Sequence, residues 1–137
     1  MSFQNGITNC DERINSIKEK IEAYESKAVL SKLFGGLFGE EGGKLRGYSV
    51  GWEKKVENLK VGMKMIEIEK MVYKAHEQQR KATLPLLFEK YSAQLAQYLE
   101  LSQEEVNLEV MEQGSYLEMC RSSLAQRDFI KKMCGVA

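Results

Sequence analysis

Apolar side chains recur along this chain at alternating spacings of four and three, and that period admits one kind of backbone. Cys10, Ile14, Ile17, Ile21, Tyr24 and Ala28 form the first run. Trp52, Val56, Leu59, Met63 and Ile66 form the second, with a parallel track at Val61, Met65, Ile68, Val72 and Ala75. Leu84, Phe88, Tyr91, Leu95 and Tyr98 form the third. Such spacing lines up one face of an α-helix. A strand would need alternation, and no β-branched alternating run or Asn-Gly hairpin signal occurs.

Punctuation sets the expected boundaries. Thr8 or Asn9 can cap a first helix, and Gly35-Gly36 stops it. Pro85 is the sole proline; with Thr83 as N-cap it falls in a tolerated first turn, so a kink or break is expected there. Ser102-Gln103-Glu104-Glu105 reads as a capping box opening a fourth helix, with a stripe at Val106, Val110, Leu117, Cys120 and Leu124. Lys131, Lys132 and Gly135 suit its end. The expectation is a single all-α domain over 1–137, an antiparallel up-down bundle of about four helices near 9–34, 52–82, 84–101 and 103–134. The narrow first stripe also suits a coiled coil with another chain.

Seven of the eleven glycines lie between 35 and 51, in "GGLFGEEGGKLRGYSVG". The expectation is a glycine-rich loop 35–51 whose Leu37, Phe38, Leu45 and Tyr48 either fold back onto the bundle or contact a partner or membrane. Gly36–Gly39, "GLFG", resembles the repeat unit of some nucleoporins, in a single copy. Residues 30–45, "LSKLFGGLFGEEGGKL", are similar to the loop after the first helix of soluble NSF attachment proteins. That resemblance implies an apolar tip that touches membrane; the alanine-rich helix pairs of the family are missing from the rest of the chain.

Charge narrows the partners. Lys plus Arg and Asp plus Glu both number 20, so the basic excess of a general nucleic-acid binder is lacking. Charged residues interrupt every 18-residue window, so no transmembrane segment is expected. The opening "MSFQNGITNCDER" has neither signal-peptide nor transit-peptide character, and the three cysteines fit a reducing compartment, which makes cytoplasmic the expected location.

Catalytic chemistry is not legible. His76 is the sole histidine and sits in the polar run "AHEQQRK", expected at the surface. The cysteines lack paired zinc-ligand spacing, and Tyr73 stands where a di-iron Glu-x-x-His motif needs glutamate. Phe38 and Leu45 break a P-loop reading of "FGEEGGKL". No catalytic, cofactor-binding or metal-ligating residue is assigned. The expected function is therefore non-enzymatic: a protein-interaction module such as an adaptor, chaperone-like protein or complex subunit, with a protein partner or a homo-oligomer. The alternative is a peripheral membrane or vesicle-trafficking factor using loop 35–51.

Overall fold

The computed structural model describes residues 3–35, 39–109 and 113–136. Helix α1 spans Phe3–Gly35, α2 Gly39–Glu77, α3 Leu84–Glu109 and α4 Gln113–Met133, and a 3₁₀ turn at Lys81–Thr83 precedes α3. The described residues contain no strand. The all-α bundle of four helices is as the apolar period requires.

Polar pairs give the topology. Cys10 and Arg13 of α1 reach Glu69 of α2, while Lys32 near the end of α1 pairs with Glu53, so α1 and α2 are antiparallel. Asn58 of α2 meets Tyr98 and Ser102 of α3, and Tyr98 in turn meets Met119 of α4. Glu69 meets Gln126 and His76 meets Met133, so α2 and α4 run the same way. The helices alternate up and down, with α2 in contact with the other three.

Two apolar clusters fill the interior. The larger joins α2, α3 and the end of α4 around Val72, Tyr91, Leu95 and Ile130. The smaller pins the start of α1 to α2 through Ile7, Cys10, Ile14, Ile66 and Tyr73. Ile17 and Tyr24 complete the first stripe at its margin, half-buried; Tyr24 stacks on Trp52 with ring centroids 5.4 Å apart.

Several expected boundaries differ. The break before α3 falls at Gln78–Arg80, where Gln79 takes φ 57°, and Pro85 lies in the first turn of α3. Ser102 does not open a helix: α3 runs through it to Glu109. Its hydroxyl donates to Tyr98 O at 2.8 Å and accepts from Asn58 Nδ2 at 2.8 Å, so an interhelix clamp takes the group that a cap would use. Glu104, from the same box, pairs with Lys54 of α2 at 3.0 Å.

The glycine-rich passage also departs from a loop over 35–51. Gly35 closes α1, and α2 begins at Gly39 and carries residues 39–50 as helix. Glycine costs a helix only about 1 kcal/mol per residue against alanine. Tyr24 stacked on Trp52 and Lys32 paired with Glu53 hold α1 against α2 just beyond the last of these glycines.

Gly6 and Gly62 test the helix contacts. A Cβ on Gly6 would stand 2.5 to 2.7 Å from three ring atoms of Tyr73, itself buried. Gly6→Ala is therefore expected to destabilise by about 1–3 kcal/mol despite alanine's better helix propensity. A Cβ on Gly62 would meet Tyr98 at 3.4 Å, an ordinary contact, so Gly62→Ala is expected to be neutral or stabilising by up to about 1 kcal/mol. Urea titrations of the two variants check the contrast; equal midpoints would mean that α1 does not rest on Tyr73.

Candidate functional site

Extending the 4,3 track of α2 beyond Ile66 brings Glu69 and Tyr73 onto the core face. Glu69 is 3% exposed, and its carboxylate joins three helices. Oε2 accepts from Arg13 Nη1 of α1 at 2.6 Å and faces the Cys10 thiol at 3.6 Å. Oε1 accepts from Gln126 Nε2 of α4 at 2.6 Å. Sequence reasoning missed this hub, although a carboxylate on the continuation of an apolar track was its signal.

A cleft of about 330 Å³ opens beside the hub. Ile17, Leu59, Met65, Ile66, Tyr98 and Met119 supply its apolar walls, and Arg13, Glu69, Tyr91, Ser122, Ser123 and Gln126 its polar groups. All four helices contribute. Among the described residues α1 and α4 have no close backbone approach, so the cleft lies where the bundle is left unsealed between them.

Burial governs the titratable groups here. Loss of solvent, reinforced by Glu69 and opposed by Arg13, pushes the Cys10 thiol up to about 12. Burial, then Glu69, pushes the Tyr91 phenol up to about 12. Tyr73 moves upward for the same reasons, with Cys10 adding to the effect. At neutral pH Cys10 is thus a thiol rather than a nucleophilic thiolate. Among the described residues no group of three or more His, Cys, Asp or Glu side chains is placed to hold a metal ion. Cys10 and Cys134 are buried and Cys120 half-buried, all as free thiols.

His76 is not a plain surface residue. Its ring stacks on Phe3 at 5.1 Å, and Nε2 lies 2.6 Å from Met133 O, so that nitrogen carries the proton and donates. The half-buried ring ties the start of α1 and the last turn of α4 to α2.

The second feature is on α4. The expected core stripe Leu117, Cys120 and Leu124 does not face the core: Leu117 is 49% and Leu124 41% exposed. Val106 and Val110 lie outside the described side chains. Met119, Gln126, Ile130 and Met133 turn inward instead. Leu124 and Gln126 are about 200° apart around the helix at 3.6 residues per turn, so only one of them can face in. The ends decide it: Ile130 is fully buried, Gln126 bonds Glu69, and Met133 O receives His76. Leu124 therefore edges an α3–α4 groove of about 400 Å³, with Phe88, Leu95, Leu99, Arg127 and Lys131. Arg127 Nε is buried there without a hydrogen-bond partner.

Of the sequence-predicted contact residues, Leu37 and Phe38 lie outside the described residues. Leu45 and Tyr48 fall on the backbone of α2, with side chains outside the described set. No described helix is long and apolar enough to cross a membrane. No family model, curated protein or solved structure matches this chain.

Proposed function

We propose that the chain is a non-enzymatic protein-interaction module that assembles with a second copy of itself, docking an acid-flanked apolar helix into the α3–α4 groove. The outward leucine stripe of α4 carries this reading. An exposed leucine on the groove edge, with basic residues at one end, suits a helix with the complementary order of side chains.

The outer face of α1 has that order. Glu22 and Glu25 precede Val29, Leu30 and Leu33, which are 64%, 50% and 62% exposed. Laid antiparallel on α4 in one register, α1 of a second copy puts Glu22 at Lys131, Ser26 at Arg127, Val29 at Leu124 and Leu33 at Cys120. Glu25, which shares a 3.5 Å exposed ion pair with Lys60, lies one residue from the Arg127 position and can serve it. Acid meets base at one end and apolar meets apolar at the other over about three turns, which favours this register over the reversed one.

Sedimentation velocity on the full chain tests it. Wild type is expected to associate with rising concentration. Leu124→Asp should remain monomeric at an unchanged melting temperature, because an exposed substitution costs less than about 0.5 kcal/mol. Arg127→Glu with Lys131→Glu should also remain monomeric, and should associate again when mixed with the Glu22→Lys, Glu25→Lys variant. A wild type that stays monomeric up to about 1 mM, an affinity worth only about 4 kcal/mol, overturns self-docking.

The exposed end of α1 favours a second reading. Val29, Leu30 and Leu33 precede Leu37 and Phe38 in sequence, and together they suit insertion at a membrane surface. Flotation of monomeric protein with phosphatidylcholine vesicles, lost in Leu30→Ser with Leu33→Ser, would select this reading.

A further inference from the structure

The cleft beside Glu69 plays no part in the docking surface, and its polar groups are unevenly employed. Its cation and its anion are already matched, Arg13 to Glu69 at 2.6 Å, and Gln126 occupies the other carboxylate oxygen. A charged ligand would bring in an uncompensated charge or break that pair, and both are costly away from water. Tyr91 differs. It is 2% exposed, lines the cleft, and makes no hydrogen bond among the described residues. That hydroxyl is not sealed in the core: it keeps contact with solvent in the cleft, where a ligand or water acceptor can serve it. The phenol stays protonated through the physiological range, since burial and Glu69 hold it up to about 12, so it acts as a donor.

The walls around this donor are apolar and adaptable. Met65 and Met119 face the cleft from α2 and α4, with Ile17, Leu59 and Ile66 beside them. A volume of about 330 Å³ lies at the lower end of the range for small-molecule sites.

We infer that the cleft binds a small uncharged molecule with an apolar body and a hydroxyl or carbonyl oxygen that accepts the Tyr91 hydroxyl proton. The paired Arg13 and Glu69 discriminate against ions, and the apolar walls supply most of the contact.

Benzyl alcohol, toluene, benzylammonium and benzoate are nearly isosteric probes that differ in the head group alone. Titrated into the full chain with methyl-labelled methionine, benzyl alcohol should shift the Met65 and Met119 methyl signals. Benzylammonium and benzoate should bind at least about 10-fold more weakly, as uncompensated charges do in a desolvated site. Tyr91→Phe keeps the ring. It should weaken benzyl alcohol by about 3- to 10-fold, the worth of one neutral hydrogen bond, and leave toluene unchanged. Ser123→Leu, at a half-buried position of the cleft wall, should weaken all four probes. Three results overturn the inference: no probe moves those methyls, the charged probes match the alcohol, or Tyr91→Phe leaves the alcohol-to-toluene ratio as in wild type. Loss of self-association in Leu124→Asp bears on the α4 groove and leaves these readouts untouched.

Discussion

Ile130→Asp is expected to leave the chain without a cooperative urea transition at 25 °C, whereas Phe129→Asp one residue earlier keeps the wild-type midpoint. Ile130 is fully buried among Val72, Leu87, Tyr91 and Leu95. Truncating a buried isoleucine alone costs about 2–5 kcal/mol. Placing a carboxylate there adds several kcal/mol of desolvation, since the cluster around it is apolar. The sum rivals the net stability of a typical domain, about 5–15 kcal/mol. Phe129 is 38% exposed, and its replacement is expected to cost less than about 1 kcal/mol. Circular dichroism through a urea titration reads both. A near-normal midpoint for Ile130→Asp would mean that α4 is not docked by this face, and the outward placement of Leu117 and Leu124 would go with it.

The second large effect is an asymmetry at the three-helix hub. Arg13→Met is expected to cost about 3–5 kcal/mol, because it leaves a carboxylate whose side chain is 4% exposed with a thiol and an amide for company. Glu69→Gln should cost less, about 1–2 kcal/mol. The arginine side chain is 40% exposed and can turn to water, and the new amide oxygen can still accept from Gln126. Replacing both partners by methionine should recover most of the Arg13→Met loss, since no charge is then buried unpaired. Chemical denaturation of the two single variants and the double variant gives the coupling directly. Additive losses would show that Arg13 and Glu69 do not share one desolvated contact.

The helices, and the inward faces of the first three, were written in the amino-acid order. Ile14, Ile21 and Ala28, Val56 and Ile66, and Leu84, Tyr91 and Leu95 are all buried as their 4,3 spacing requires. A helix with one apolar face has one favourable orientation, so spacing alone determines it. Pro85 belongs with them, since a missing N–H is harmless in a first turn.

The tertiary structure decided what local pattern left degenerate. Helix α4 carries apolar residues on two faces, Leu117 and Leu124 on one, Met119, Ile130 and Met133 on the other, so spacing could not choose between them. Distant partners chose: Glu69 for Gln126, His76 for Met133 and the α2–α3 cluster for Ile130. Ser102 could cap a helix or clamp two, and Asn58, forty-four positions away, settled it. The glycines of 39–51 weaken a helix without forbidding one, and α2 runs through them to the point where Trp52 and Glu53 meet α1. Glu69 is polar by composition and buried by context, because its charge is met by Arg13 from another helix. Each of these choices is a contact between residues remote in sequence, and such contacts exist only once the helices have packed.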